Sequence, residues 1–277
     1  MLKSRWTMLW MVHSQPKCPA FRAQRIAWIA ILAAFVALTT PPCWAQEVPA
    51  PKQPTAKQPA KEVPEPLTKY LGRRIALPMS YHGIPWLNRL ERIQEENPEE
   101  MLAQLGVKPG MSVCDMGCGD GYYTIELAKR VGPTGKVIAV DIQPEMLQEL
   151  SRRCEKSNLK NVEMILGEPH DPKLPVGQID VILMVDVYHE FSNPVEMLDA
   201  MRKSLKPDGR IALVEFRGED PQVPIKPEHK MTKKQILKEY EANAMRLVGQ
   251  YDRLPWQHLM FLGPEPQEKS PKQPKPE

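Results

Sequence analysis

Three glycines, Gly117, Gly119 and Gly121, stand directly after a short apolar run in the stretch VCDMGCGDGYYT, residues 113–124. Glycine lets a backbone turn sharply and approach a ligand with no Cβ in the way, and open α/β sheets bind ligands at the carboxyl ends of their strands. The spacing is GxGxG rather than the GxGxxG of dinucleotide-binding loops, and an acid, Asp115, precedes the first glycine by two residues. A carboxylate there repels a pyrophosphate and suits a cationic amine. Asp141 ends the next apolar run, twenty residues after Gly121, where a carboxylate can accept hydrogen bonds from both hydroxyls of a ribose. The ligand described by these residues has a ribose, an amine and no phosphate.

A second cluster, VDVYHEF, brings Asp186, Tyr188, His189 and Glu190 together after another apolar run. These four are the candidate catalytic residues, with His189 as the base, or the orienting group, for a hydroxyl, thiol or amine. Glu215, Arg217, His229 and His258 lie further along the chain, where strand ends would bring them toward the mouth of the same cleft; for His258 a structural role is at least as well supported. Asp186, His189, Glu190 and His229 are ligand types that suit a divalent ion. Their spacing matches no zinc pattern, however, and no metal is assigned.

The elements that must carry these residues alternate. MSVCDM, KVIAVDI, VEMIL, DVILMVDV and RIALVEF read as strands, and YYTIELAKRV, PEMLQELSRRCEKS and PVEMLDAMRKSL as helices between them. The strands are continuous apolar runs, as burial on both faces of a parallel sheet requires. The alternation argues a doubly wound α/β sheet. Upstream, WLNRLERIQEE and PEEMLAQLGV read as two short helices that either cover one sheet edge or lid the ligand. The second has Asn97 as N-cap, Pro98 at its first position and Gly106 as its stop.

Read together, these motifs resemble class I S-adenosylmethionine-dependent methyltransferases over most of residues 107–216. VCDMGCGDGYYT is similar to the family's first motif, VIAVDIQPEML to its second-strand motif, IDVILMVDVYHEF to its fourth-strand motif and LKPDGRIALVEF to the entry of its fifth strand. The resemblance implies a Rossmann-like sheet of seven strands, mostly parallel with an antiparallel last strand, and S-adenosyl-L-methionine as cofactor. It implies that Asp115, Gly117, Gly119 and Gly121 surround the methionine part, that Asp141 binds the ribose and that Ile142 packs on the adenine. The acid that meets the adenine amine would be Asp171 or Glu168; Asp171 is preferred because it stands nearer the Leu-Pro pair that follows this acid in many members. TKKQILKEYEANA would be the last helix, and the segments near Leu247 and HLMFL the final hairpin. Where many members carry Gly-Phe, this chain has Ala244 and Met245. The YHEF segment further resembles a bacterial group of exported methyltransferases.

Composition sets the outer bounds. The chain has 277 residues, 42% hydrophobic and 26% charged, enough for one good-sized core. A net charge of +3 and 6% aromatic residues argue against a nucleic-acid partner. Basic residues from Lys3 to Arg25 precede the apolar run IAWIAILAAFVALTT, which ends shortly before Ala45. The run is short of the ~20 residues that span a bilayer. Residues 1–45 therefore read as a cleaved signal peptide, with a membrane anchor as the alternative, and the domain as exported to a periplasmic compartment. Cys43 follows two prolines and lacks a lipidation context, and the sparse cysteines form no disulfide framework.

Thirteen of the thirty prolines fall in residues 41–66 and 264–276, so residues 46–66 and 264–277 read as disordered Pro-rich tethers around a domain at 67–263. The expected activity is methyl transfer to a small-molecule, lipid-like or quinone-like acceptor, with membrane proximity. A domain that binds S-adenosylmethionine or its demethylated product without turnover is the alternative.

Overall fold

The computed structural model describes residues 63–266. The signal-peptide reading of residues 1–45 and most of both Pro-rich tethers lie outside the described residues. At the near edge of the first tether the chain is already held: the Asn193 side-chain amide donates to the carbonyls of Pro64 and Glu65, at 3.2 and 3.3 Å, and Leu67 N donates to Ser192 O. The domain therefore begins a few residues earlier than composition suggests.

A two-residue ladder, β1 (Lys69–Tyr70) and β2 (Arg73–Arg74), opens the domain. Three short helices follow: α1 (Ile84–Leu87), α2 (Arg92–Glu96) and α3 (Pro98–Gln104). The single helix expected over WLNRLERIQEE is thus broken in two. Asn88 breaks it, because its side chain bonds the Ile84 carbonyl at 3.0 Å and Asp120 at 2.7 Å, a local competition with the helical ladder that Asn is suited to make. Asn97 takes a left-handed conformation, ending α2 and capping α3 in one residue.

The remaining elements alternate as the apolar runs require: β3 (Ser112–Met116), α4 (Tyr122–Val131), β4 (Lys136–Asp141), α5 (Pro144–Lys156), β5 (Val162–Leu166), β6 (Ile179–Val185), α6 (Pro194–Ser204), β7 (Leu205–Phe216), α7 (Lys233–Glu241), β8 (Met245–Tyr251) and β9 (Gln257–Pro264). Seven strands form one sheet in the order β5-β4-β3-β6-β7-β9-β8. The first five are mutually parallel, and β9 lies antiparallel to both neighbours. This is the expected doubly wound sheet with its antiparallel last strand.

Alternate residues of the central strands feed opposite faces. Cys114, Ile138, Ile182 and Leu213 pack with Leu198 and Met201 of α6 and Ile236 and Tyr240 of α7. Val113, Val137, Val181 and Ala212 pack with Met101 and Leu105 of α3 and Leu127 and Val131 of α4. Strand order reverses direction at β3, with β4 on one side and β6 on the other. The crevice beyond the carboxyl ends of those strands is where such sheets bind ligands.

Candidate functional site

The loop from β3 to α4 folds onto the end of β4, with Gly117 N and Cys118 N both donating to the Val140 carbonyl at 2.8 and 3.0 Å. Gly117 and Gly121 have φ of +69° and +88°. A Cβ at Gly117 would lie 2.4 Å from Val187 Cγ2, and one at Gly121 2.3 Å from Leu150 Cδ1. Only glycine permits both the turn and the close packing.

Asp141 is fixed by this loop: Gly119 N donates to one carboxylate oxygen and Gln143 N to the other, each at 2.9 Å. Two opposite edges hold the group still, and the second lone pairs of its oxygens remain as acceptors. Burial raises its pKa above the usual carboxylate value, against those backbone hydrogen bonds. Ile142 beside it is 41% exposed, a partly uncovered apolar surface. Asp115 is buried and accepts from Thr124 Oγ1 at 2.5 Å. Burial pushes its carboxyl up to about 6, against the pull of the Thr124 hydroxyl. An anion so poorly solvated favours a cationic group beside it.

Glu168 and Asp171 share one tight turn after β5, their backbones paired at 2.8 and 3.1 Å, and Gly167 N ties that turn to the Asp141 carbonyl. Both are exposed. Glu168 pairs with Lys173 at 2.7 Å, which lowers its pKa, while an Asp171 oxygen accepts from Lys173 N at 2.8 Å. The turn is thus tied to the end of β4, with both acids exposed on it.

The four residues of the second cluster separate. Asp186 has φ of +52°, and the chain then makes a 3-10 turn over Tyr188–Glu190. Tyr188 has no exposed surface, and its hydroxyl donates to Glu239 at 2.9 Å. It is a core residue: the expectation that it acts on a substrate is corrected by its complete burial between α7 and Arg73. Asp186 accepts from the Gln257 side chain at 2.7 Å, and its other oxygen is buried without a protein partner. Burial, then Glu96 and Glu215, push its pKa well above the usual carboxylate range.

His189 and Glu190 remain, and the fold adds two partners. His189 Nδ1 lies 2.7 Å from Glu215, whose other oxygen accepts the His189 backbone N–H at 3.2 Å. His189 Nε2 lies 3.0 Å from Nδ1 of His229 and 3.8 Å from Glu190 Oε1. Burial alone would lower the His189 pKa, but the Glu215 charge and hydrogen bond leave it above its ordinary value. Burial and the neighbouring His189 lower that of His229, and burial lifts Glu190 to about 7. Of the four strand-end residues, Glu215 and His229 therefore converge on His189. Arg217 instead holds the carbonyls of Pro255 and Asp252 at 2.7 and 3.0 Å, and His258 bonds Glu219 at 2.8 Å.

The upstream segment lids the glycine loop, one of its two expected placements. Leu87 packs over Gly119, Asn88 bonds Asp120, and the Arg92 guanidinium, paired with Glu96 at 2.6 Å, lies over the rings of Tyr122 and Tyr123 at 4.3 and 4.9 Å. Residues 79–81 also join the two halves of the cleft. Gln143 bonds Met79 O and Tyr81 N, both at 2.8 Å, while Met79 N donates to Glu190 at 3.2 Å. Neither Gln143 nor residues 79–81 carry a sequence signal for this role, since each of the three contacts has a backbone group as one partner.

These residues fit S-adenosyl-L-methionine. The glycine turn packs tightly at the carboxyl end of β3, Asp115 suits the cationic end, Asp141 suits a ribose and Ile142 offers an apolar face to the base. Residues 107–259 match a family model described as a methyltransferase domain. Among curated proteins the chain is similar to nocamycin O-methyltransferase of Saccharothrix syringae, 33% identical over 41% of this chain and 40% of that protein. It is also similar to the demethylmenaquinone methyltransferase of Lactococcus lactis, 28% identical over 53% and 55%. The chain thus spans about half or less of the length of these relatives. A solved structure, a SAM dependent methyltransferase from Aquifex aeolicus, superposes with a TM-score of 0.63 and 29% identity, covering 67% of this chain and 98% of that one. With the family model matched over more than half of its length and the cofactor cradle formed as described, the chain belongs to the class I S-adenosylmethionine-dependent methyltransferases.

Proposed function

We propose that this protein transfers a methyl group from S-adenosylmethionine to a small-molecule acceptor, lipid-like or quinone-like, whose nucleophilic atom meets His189, Glu190 and His229. The observation that carries this reading is the pairing of His189 with Glu215. A fully buried carboxylate fixes Nδ1 and leaves Nε2 facing His229 and Glu190, the arrangement by which an imidazole is oriented to bind or relieve a substrate of its proton. When bound, S-adenosylmethionine supplies an electrophilic methyl group on a sulfonium. Asp141 and Asp115 hold its ribose and cationic ends, and the lid of residues 79–97 keeps water from them. The cluster after β6 orients the acceptor. Glu190, coupled to Gln143 through Met79, links the two positions. The names of the relatives, an O-methyltransferase and a demethylmenaquinone methyltransferase, support a small acceptor.

Incubation with tritiated S-adenosylmethionine and a cell extract, followed by separation into organic-soluble, small polar and macromolecular fractions, tests the reading. Label in the organic or small polar fraction, abolished by Asp141→Ala and reduced by His189→Ala, is the expected result. Cofactor binding with no transfer to any fraction would favour the non-catalytic binding module. Label confined to RNA or protein would overturn the acceptor class.

Export remains part of the proposal and rests on the basic and apolar pattern of residues 1–45. Among the described residues no helix is long and apolar enough to cross a membrane, so membrane proximity rests on the same leader. Cell fractionation with N-terminal sequencing of the mature chain checks both; a cytosolic chain retaining Met1–Ala45 would overturn them.

A further inference from the structure

The geometry points to a divalent transition-metal site formed by His189 Nε2, His229 Nδ1 and a carboxylate oxygen of Glu190, open to an oxygen-bearing acceptor. These three donor atoms lie within 4.8 Å of one another. The two nitrogens are 3.0 Å apart and the carboxylate oxygen 3.8 Å from the first. Ligands about 2.1 Å from one ion stand about 3.0 Å apart at right angles and about 3.4 Å apart in a tetrahedron. The cluster therefore needs only small side-chain adjustments to close on an ion.

Three features separate this cluster from a chance meeting of polar groups. The imidazole rings lie at 84° to each other, so both nitrogens can address one point without stacking. Glu215, with no exposed surface, binds both Nδ1 and the backbone N–H of His189. With Nδ1–H donated to that carboxylate, the lone pair is left on Nε2; a carboxylate behind a ligating imidazole is the usual second support of a metal-bound histidine. The third feature is access: His229 and Glu190 are only partly buried, and His189 is held at the back.

Two imidazoles and one carboxylate suit first-row ions such as Zn²⁺, Co²⁺, Mn²⁺ or Fe²⁺ more than Ca²⁺ or Mg²⁺. An ion there would bind acceptors that present one or two oxygens, and His189 would serve as ligand rather than base. The use of the ion rests on the acceptor-site reading above; its binding does not. The ligands come from the turn after β6 and from residues 227–229 after β7, separated by 40 positions in the chain. No local spacing pattern could announce them.

The test is metal binding by the full chain carrying no histidine tag, stripped with chelator and titrated with Co²⁺ and Zn²⁺ without cofactor or acceptor. One equivalent of Co²⁺ with visible d–d absorption, displaced by Zn²⁺, is expected. His229→Ala and Glu190→Gln should abolish that spectrum, Glu215→Gln should weaken affinity about 10–100-fold, and His82→Ala, an exposed histidine outside the cluster, should leave the Co²⁺ affinity and spectrum unchanged. Each variant is checked for unchanged S-adenosylhomocysteine binding, which shows that it is folded. Wild-type protein that binds S-adenosylhomocysteine but takes up no Co²⁺ would overturn the site, as would His229→Ala with wild-type metal affinity. Metal binding without methyl transfer to any fraction would leave this site standing and remove the acceptor reading instead.

Discussion

Arg73 and Glu239 meet in a two-point ion pair, at 2.7 and 3.0 Å, with side chains 8% and 0% exposed. The same carboxylate accepts the Tyr188 hydroxyl, and Arg73 also donates to the His189 carbonyl at 2.8 Å. One buried pair thus clamps the turn over Tyr188–Glu190 to α7 and to the opening ladder. Removing one partner of such a pair strands the other charge, at a cost of about 3–5 kcal/mol. Glu239→Gln should therefore destabilise the fold by that order in urea denaturation. Tyr188→Phe should cost only about 1–2 kcal/mol and leave methyl transfer intact once folded; loss of transfer with an unchanged melting curve would restore a catalytic role to Tyr188.

Asp141 joins the glycine loop to the start of α5, at the position proposed to hold the ribose. Hydrogen bonds to a charged group are worth about 1.5–3 kcal/mol each. Asp141→Ala should weaken S-adenosylhomocysteine binding on the order of a hundredfold or more, measured by calorimetry. Retained affinity would move the ribose contact elsewhere.

Asp115 carries a pH signature. Its folded pKa of about 6 lies above the ordinary 3.8, so the group binds a proton more tightly folded than unfolded. Stability relative to a neutral residue is then complete below pH 3.8 and is lost as pH rises to about 6, by about 3 kcal/mol across that window. Asp115→Asn, which keeps an acceptor for Thr124, should match wild type near pH 3.5 and be the more stable protein at pH 7.5. Its cofactor affinity at pH 7.5 should fall, and wild-type affinity should decline below about pH 6 as the carboxylate takes up a proton. Parallel denaturation curves at both pH values for the two proteins would refute the buried charge.

Ala244, in the turn between α7 and β8, has a φ of +54°. A left-handed alanine costs about 1–2 kcal/mol, partly offset by the unfolded-state freedom that glycine adds. Ala244→Gly should raise stability by about 0.5–1 kcal/mol with no change in cofactor binding. A destabilised variant would show that the turn after α7 is not strained.

The strands and their order were legible because burial on both faces leaves long apolar runs, and helices between them keep a different period. The cradle was legible for a related reason. Gly117, Gly121 and Asp141 stand close to their own strand ends, so the turn they form follows from local backbone geometry and short spacings. The break at Asn88 was not legible, because a helical apolar pattern says nothing about Asp120, which draws that side chain away.

Sequence by itself determined the doubly wound sheet, the glycine turn and the acids beside it, all properties of segments a few tens of residues long. Tertiary structure decided which polar residues meet. VDVYHEF presented four candidates in a row, yet a turn at Asp186 sent Tyr188 into the core with Glu239 and left His189 facing Glu215 and His229. Those partners come from β7, from the turn over Pro227–His229 and from α7, and only the packing of these elements against the end of β6 brings them within hydrogen-bond reach.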